Sequence, residues 1–268
     1  MYRREPSGVS DEPDGEEALM GGLITFPVRI QGNVHRESGP WTPSVHALLR
    51  HLEDAGFDGA PRVVGFDDVG REVLTYVDGE PGSLRFPQGL LHQHGLMALG
   101  RFIRRFHDAV TAFVPAPDAV YRIGARPLGP GEIVCHGDLG YWNTVWRGDE
   151  VVGLIDWDTA EPAPPLRDVA VAAMTTVPMH DDEWAVRVGF LPPLDRRARL
   201  AAFCAGYGDV TPAEVVEAAA ESMRVEMERL QVFGAEGREP WASLLEGGQL
   251  QMFGNVATWI AVNRASLV

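Results

Sequence analysis

Three polar side chains that can bind a metal ion or accept a proton are grouped in one part of the sequence. Asp138 and Asn143 lie five residues apart in the segment HGDLGYWN, and Asp156 follows the apolar run VVGLI. The turn at residues 147–150 predicts two paired strands that would bring Asp156 back beside Asn143. Carboxylate and amide oxygens are the ligands that Mg²⁺ prefers, and a carboxylate can also accept a proton. The spacing therefore predicts one site that combines a proton acceptor with a metal ion.

Phosphoryl transfer from a nucleotide is a reaction that needs this combination. It requires a carboxylate near the acceptor hydroxyl and oxygen ligands that hold Mg²⁺ on the phosphates, with little covalent help from the protein. We expect Asp138 to orient and deprotonate the acceptor. Asn143 and Asp156 are then the expected metal ligands.

The combined pattern resembles the aminoglycoside phosphotransferase family, whose members share the protein-kinase-like fold with choline kinases and other small-molecule kinases. The resemblance rests on H-G-D-x-x-x-x-N at residues 136–143 and on I-D-W-D at residues 155–158. It implies that Asp138 is the catalytic aspartate and that Asn143 and Asp156 bind the metal. It also implies Mg²⁺ as cofactor, ATP or GTP as phosphate donor, and a small molecule with a hydroxyl group as acceptor.

The order of the predicted elements fits this fold. The resemblance extends over residues 20–268, although the last hundred residues match mainly in their helical character. Up to about Asp78 the pattern predicts strand, strand, helix, strand and strand, and mainly helical patterns follow the Gly- and Pro-rich linker at residues 79–89. The fold class is therefore α+β with two lobes. The expected parts are a disordered acidic tail at residues 1–18, an N-terminal nucleotide-binding lobe at residues 19–78, and a C-terminal catalytic and acceptor-binding lobe at residues 79–268.

Side-chain capping patterns predict where three helices begin. Thr42, followed by Pro43, is expected to cap the helix of the N-terminal lobe. Asp195 is expected to cap a helix that runs toward Gly206, and Thr211 begins a capping box for another.

The basic residues depart from the family pattern, because all 23 of them are arginine. Kinase-like folds use a strand lysine to hold the α- and β-phosphates and pair it with a helix glutamate. Arg36 is the expected replacement for the lysine, since its fork keeps the charge and can grip phosphate. His46 and Glu53 both remain candidates for its partner. Tyr76 and Val77, in the predicted hinge, are expected to offer backbone groups to the purine.

Other polar residues are expected to support the site or to contact the acceptor. The resemblance implies that His136 packs and forms hydrogen bonds rather than acting as a base, and that Asp168 braces the catalytic loop. Four acidic residues of the C-terminal lobe could face a cationic acceptor, although a solvated helix surface is the alternative interpretation. They are Asp181, Asp182, Glu217 and Glu221.

Composition narrows the choice of partners and compartment. The net charge of −15 argues against a nucleic-acid partner, because phosphates would be repelled. No apolar run approaches the roughly 18 residues of a membrane span, and the first residues have no apolar signal segment. Cys135 and Cys204 form no CxxC pair and predict no disulfide framework. We therefore expect a cytoplasmic protein without a membrane segment, and the sequence does not indicate its oligomeric state.

Three functions remain open at this point. The leading hypothesis is an Mg²⁺-dependent O-phosphotransferase acting on a small molecule, with aminoglycoside-like compounds, amino sugars and amino alcohols as candidate cationic acceptors. The alternative is a nucleotide-binding pseudokinase or regulatory module, because both the strand lysine and the helix glutamate are missing. A metal-dependent hydrolase could use the same carboxylates, but such enzymes usually carry histidine-rich ligand clusters.

Overall fold

The computed structural model describes residues 17–19 and 27–268. Most of the predicted acidic tail therefore lies outside the described residues. Its last two residues, Glu17–Ala18, form strand β1, which pairs with the next strand of the N-terminal sheet. The sheet thus begins inside the segment that we assigned to the tail.

The N-terminal lobe is a five-stranded antiparallel sheet with one helix. The strands lie in the order β1-β2-β3-β5-β4, and the turn at Gln31-Gly32 joins β2 to β3. Besides β1, the elements are β2 (Val28–Ile30), β3 (Asn33–Arg36), helix α1 (Thr42–Asp54), β4 (Val63–Phe66) and β5 (Glu72–Thr75).

Helix α1 begins one residue earlier than the capping pattern predicts. Trp41 occupies the N-cap position, and Thr42 is already helical. The Thr42 hydroxyl oxygen instead accepts a hydrogen bond from the backbone nitrogen of Gly39 over 2.9 Å. The apolar face of the helix is buried, and it comprises Val45, Leu48, Leu49 and Leu52.

The predicted linker is partly a strand. Strand β6 (Glu80–Pro81) leaves the N-terminal lobe and pairs with β10 (Thr144–Arg147), which pairs in turn with β11 (Glu150–Leu154). The backbone nitrogen of Leu154 also donates to the carbonyl of Gly59 over 2.8 Å. The strand pair that follows the catalytic loop is therefore tied to both lobes.

The C-terminal lobe contains seven helices in the described part of the chain, with small strand pairs beside them. Helix α2 packs along α5, where Gly206 allows close approach because a Cβ there would lie 2.3 Å from the carbonyl oxygen of Met97. The remaining strands are β7 (Val120–Tyr121), β8 (Gly124–Ala125), β9 (Ile133–Cys135) and β12 (Glu161–Ala163). The helices are α2 (Gln93–Val110), α3 (Leu166–Thr176), α4 (Asp182–Val188), α5 (Arg196–Tyr207), α6 (Pro212–Ala235), α7 (Trp241–Glu246) and α8 (Gln249–Leu267).

Two capping predictions in this lobe are confirmed. Asp195 accepts a hydrogen bond from the backbone nitrogen of Ala198 at the start of α5. Thr211 and Glu214 form the reciprocal capping box of α6. Among the described helices, none is long and apolar enough to cross a membrane.

Candidate active site

The HGD segment leaves strand β9 in a backbone conformation that only glycine fits. Gly137 has φ +85°, and a Cβ there would lie 2.0 Å from the carbonyl oxygen of Thr159. The carboxylate of Asp168 accepts hydrogen bonds from the backbone nitrogens of His136, at 2.7 Å, and Gly137, at 3.0 Å. Asp168 thus fixes the start of the loop that carries Asp138.

Asp168 is fully buried, and its surroundings favour the ionised carboxylate. Burial alone would raise the pKa of Asp168, but the hydrogen bond and charge of His107, together with the backbone donors, hold it below its usual value. The Nδ1 atom of His107 in turn lies 2.9 Å from the hydroxyl of Tyr207. A series of polar contacts therefore runs from Tyr207 on α5 through His107 on α2 to Asp168 on α3, and it ends at the catalytic loop.

His136 supports the same loop through its ring. Its Nε2 lies 2.9 Å from the carbonyl oxygen of Ile155, and its ring packs against Trp157 at 4.6 Å between centroids. Burial lowers the pKa of His136, which favours the neutral ring. These contacts join the HGD segment to the I-D-W-D segment, and the supporting role of His136 stays a prediction.

Asp138 is held by the two polar side chains that follow it in the loop. The indole nitrogen of Trp142 donates to its Oδ2 over 3.1 Å, and the amide nitrogen of Asn143 donates to the same oxygen over 2.9 Å. Burial raises the pKa of Asp138 to about 7, although these two hydrogen bonds partly oppose the shift and the charge of Asp156 adds to it. A carboxyl group with a pKa near neutrality is suited to accept and release a proton.

Asn143 and Asp156 present oxygen atoms on adjoining segments. The side-chain nitrogen of Asn143 donates both to Oδ2 of Asp138 and, over 2.8 Å, to the backbone carbonyl oxygen of Asp138. The side-chain oxygen of Asn143 therefore points away from Asp138. The backbone nitrogen of Ile155 donates to the carbonyl of Asn143 over 3.0 Å, which places Asp156 next to the loop. Asp156 has φ +62°, and its side chain is 48% exposed. This all-oxygen donor pair suits a hard divalent cation.

Arg36, at the end of β3, is buried among three carboxylates. Its Nε donates to Glu72 over 2.5 Å, one Nη donates to Asp156 over 3.0 Å, and the other contacts Asp158. Burial would lower the pKa of Arg36, but these negative charges raise it above its usual value, so the side chain is a fixed cation. The structure therefore places Arg36 in contact with Asp156, one of the two predicted metal ligands.

Sequence reasoning missed Glu72, which lies opposite Arg36 on strand β5. Of the two proposed partners, His46 contacts Glu72 rather than Arg36, with 2.9 Å between Nε2 and Oε2. Glu53 instead faces Arg62, 3.7 Å away, with half of its side chain exposed. The signal for Glu72 was its place at the start of a strand, but the pairing of β3 with β5 could not be read from the sequence.

Asp158, the last residue of the I-D-W-D segment, also belongs to the cluster around Arg36. Its carboxylate is buried between Arg36 and the guanidinium of Arg122, whose nitrogen lies 3.5 Å from it. Burial raises the pKa of Asp158, and the arginine charges oppose that shift. Arg122 also stacks over the ring of Trp41 at 4.5 Å, so this cluster reaches from the C-terminal lobe to the start of α1.

The predicted hinge residues follow directly after β5. The guanidinium of Arg29 lies 4.2 Å above the ring of Tyr76. Val77 packs against Gly153 of strand β11, and a Cβ on Gly153 would lie 2.5 Å from the side chain of Val77. The hinge is therefore in contact with both sheets, and purine binding by Tyr76 and Val77 stays a prediction.

The four acidic residues proposed for acceptor binding each have a partner nearby. Asp181 caps α4 by accepting from the backbone of Trp184, and Asp182 lies 2.8 Å from Arg196. Glu221 pairs with Arg224, and Glu217 pairs with Arg264. Glu217 and Glu221 also line a cavity of about 590 Å³ between β12, α3 and α6. Their contact with an acceptor stays a prediction.

Comparison with known proteins identifies the family. The sequence profile of the phosphotransferase enzyme family matches residues 121–213, which include the whole HGD and I-D-W-D region. The trifolitoxin immunity protein of Rhizobium leguminosarum bv. trifolii is 40% identical over 200 residues, which cover 72% of this chain and 74% of that protein. The chain belongs to the phosphotransferase enzyme family.

Solved structures confirm the protein-kinase-like fold. A choline/ethanolamine kinase family protein from Mesorhizobium loti has a TM-score of 0.56 at 18% identity, with 92% of each chain covered. An amicoumacin kinase, solved with AMP-PNP and Ca²⁺, has a TM-score of 0.61 at 13% identity, with 91% of this chain and 88% of that chain covered. Aminoglycoside 2'-phosphotransferase-IIIa, solved with GDP, has a TM-score of 0.52 at 16% identity over 94% of each chain.

Membership of this phosphotransferase family accounts for the general chemistry of the site. The family is one of phosphotransferase enzymes, and two of the solved structures that share the fold hold AMP-PNP or GDP. The predicted fold and family are thus confirmed. The donor nucleotide and the acceptor stay predictions, as do the individual roles of Asp138, Asn143, Asp156 and Arg36.

Proposed function

We propose that this protein transfers the terminal phosphate of ATP or GTP to a hydroxyl group of a small, amine-bearing molecule. The observation that most supports this reaction is the placement of a carboxylate and two oxygen ligands around one short loop. Asp138 has its pKa raised to about 7 by burial, and Asn143 and Asp156 adjoin it. A site without transfer activity has no need of a proton acceptor beside its metal ligands.

In this proposal Asp138 accepts the proton of the acceptor hydroxyl as its oxygen attacks the γ-phosphorus. The new phosphorus–oxygen bond forms while the bond to the β–γ bridging oxygen breaks, and the nucleoside diphosphate leaves. Asn143 and Asp156 would hold Mg²⁺, which supplies positive charge to the phosphate oxygens when it is bound. Arg36 contributes a further fixed cation for the α- and β-phosphates, so that an arginine performs the task that a lysine has in other kinase-like folds.

The acceptor in this proposal is a toxic compound that phosphorylation inactivates. The relative that shares 40% identity is named for immunity to trifolitoxin. Covalent modification of a toxin is one way to provide immunity, and it needs only the reaction proposed above. The protein's strongly acidic composition, with a net charge of −15, favours a positively charged compound over an anionic one.

A nucleotide-turnover screen tests the reaction. The purified protein would be incubated with Mg²⁺ and ATP or GTP, and with aminoglycosides, amino sugars, choline-like amines, nucleosides or trifolitoxin. We expect one class of acceptor to stimulate nucleoside diphosphate release and to gain the mass of one phosphoryl group. Asp138→Asn is the matched control, and it should abolish both signals.

The pseudokinase hypothesis makes the opposite prediction in the same screen. The protein would bind Mg²⁺-nucleotide, but no acceptor would stimulate turnover, and Asp138→Asn would change nothing measurable. The missing strand lysine and helix glutamate keep this alternative open. The presence of Asp138, Asn143 and Asp156 together argues against it.

A further inference from the structure

The pair formed by Glu72 and His46 lies directly behind Arg36. Arg36 on β3 and Glu72 on β5 are opposite each other in the register of the antiparallel sheet. Side chains of directly opposed residues project from the same face, where they can interact. Glu72 is 1% exposed and Arg36 is 6% exposed, so this ion pair is almost completely removed from water.

Both oxygens of Glu72 are in use. Oε1 accepts from the Nε of Arg36 over 2.5 Å, and Oε2 lies 2.9 Å from the Nε2 of His46. An ionised carboxylate can only accept, so the imidazole must donate the shared proton. Burial would raise the pKa of Glu72, but the hydrogen bond from His46 and the charge of Arg36 lower it. Glu72 is therefore ionised, and its two acceptors are satisfied.

The contact at Nε decides where the rest of the guanidinium points. A guanidinium is planar, so fixing the Nε edge fixes the direction of both Nη groups. In this structure the Nη groups contact Asp156 and Asp158, on the metal-ligand side of the site. Glu72 holds the side of Arg36 that faces the sheet, and it leaves the outer side directed toward the reaction centre.

Helix α1 is connected to Arg36 through this carboxylate. His46 lies in the second turn of α1 and is 2% exposed. In a kinase-like fold the helix supplies the glutamate itself, and that contact couples the position of the helix to the phosphate-binding cation. Here the negative charge has moved to the neighbouring strand, and the helix contributes a hydrogen-bond donor instead.

We propose that Glu72 is the positioning residue for Arg36 and that His46 couples helix α1 to it, so that the relay His46–Glu72–Arg36 takes the place of the helix glutamate and strand lysine. The relay rests on the proposed function, since it serves triphosphate binding at that site. It explains how this chain can dispense with lysine. An arginine offers a third nitrogen, Nε, that a carboxylate on the adjacent strand can hold.

Calorimetric binding of a nucleoside triphosphate and of the bare nucleoside tests the relay. Glu72→Gln keeps the shape of the side chain but has one acceptor oxygen for two donors, so we expect triphosphate affinity to fall about tenfold while nucleoside affinity is unchanged. His46→Leu should cause a smaller loss of the same kind, and His46→Gln, which retains a donor, should restore part of it. Glu53→Gln, on the exposed side of α1, is the matched control and should bind both ligands like the wild type.

A double-mutant cycle separates positioning from a general structural effect. If Glu72 acts through Arg36, adding Glu72→Gln to Arg36→Lys should cost much less triphosphate affinity than Glu72→Gln does in the wild type. Equal losses for triphosphate and nucleoside, additive losses in the cycle, or wild-type binding by Glu72→Gln would each overturn the proposal. Because the readout is nucleotide binding, failure to find an acceptor would count against the proposed reaction and not against the relay.

Discussion

Trp142 donates its indole hydrogen to the Oδ2 of Asp138 over 3.1 Å, and Asn143 donates to the same oxygen over 2.9 Å. Two donors thus share one carboxylate oxygen. Among the described hydrogen bonds, none involves Oδ1, so this oxygen is the one available to an acceptor hydroxyl. The arrangement fixes the rotation of the carboxylate before any ligand binds.

Asp138→Asn tests the role of this carboxylate. An amide cannot take up the proton, and general base catalysis is worth about 10²–10⁴ in rate. We expect phosphoryl transfer to a confirmed acceptor to fall by at least that range, while nucleotide affinity stays near the wild-type value. Single-turnover kinetics and calorimetry measure the two quantities. Near-normal transfer by the variant would remove Asp138 from the mechanism.

Trp142→Phe tests whether orientation of the carboxylate matters. The substitution keeps an aromatic ring but removes the indole donor, and Asn143 still holds Oδ2. We expect kcat to fall about tenfold, as for loss of one hydrogen bond to a charged group, with little change in KM. A rise in KM with unchanged kcat would mean that Trp142 contacts the acceptor instead.

Asn143→Ala and Asp156→Ala test the metal site. Each change removes one oxygen ligand, so each should weaken binding of the nucleotide in the presence of Mg²⁺ and have a smaller effect in its absence. Calorimetry with and without Mg²⁺ gives the comparison. Asp149→Ala, on the exposed turn after β10, is a control that should change neither value. Wild-type affinity in both variants would place the metal elsewhere.

Arg36→Lys is the informative change at the phosphate-binding cation. It keeps the charge but loses the fork that reaches Glu72, Asp156 and Asp158. We expect triphosphate affinity to lie between those of the wild type and Arg36→Ala, for which the loss should be at least about tenfold. Bare nucleoside affinity should hardly change.

Arg36→Ala carries a second expected effect. It leaves the buried carboxylates of Glu72 and Asp158 without their shared cation, and breaking a buried ion pair costs about 3–5 kcal/mol. Its free energy of unfolding should therefore fall, and binding must be measured well below its melting temperature. No loss of either triphosphate affinity or stability would contradict the ion-pair geometry.

Asp168→Asn should destabilise the fold in a pH-dependent way. The amide can accept only one of the two backbone donors of His136 and Gly137, so we expect a loss of about 3 kcal/mol at pH 7. The pKa of Asp168 is lowered in the folded state, so its stabilising contribution is complete above the unfolded value of about 3.9 and is lost as pH falls through the folded value.

The measurement for Asp168 is the free energy of unfolding by denaturant between pH 7 and pH 3. The difference in the free energy of unfolding between the wild type and Asp168→Asn should become smaller below about pH 4. Asp108→Asn, which alters an exposed pair with Arg104, should cost less than about 1 kcal/mol at every pH. A constant difference for Asp168→Asn would contradict the ionised, buried carboxylate.

Much of the catalytic loop could be predicted because its geometry is local. Asp138 and Asn143 lie within one turn-rich segment, and the hairpin of β10 and β11 returns the chain to them over a short distance. The conformation of Gly137 is local as well, since a positive φ concerns the backbone of a single residue. The capping box at Thr211 could be read from four consecutive residues.

The remainder of the site depends on pairings between distant segments. Strands β3 and β5 are separated by a helix and another strand, and a shift of one residue would turn Glu72 to the other face. No periodicity in the sequence sets that register. Asp181 is a local case like the capping box, because its capping of α4 could have been read from its position three residues before Trp184.

The guanidinium of Arg36 also determines which chemical probes can report on this site. A nucleotide analogue that carries an acylating group would label a kinase-like protein at an amine that faces the phosphates. Arginine stays protonated and offers no free amine, and this sequence contains no lysine that could react in its place. Activity-based surveys that depend on amine labelling would therefore pass over this protein even while it bound nucleotide normally.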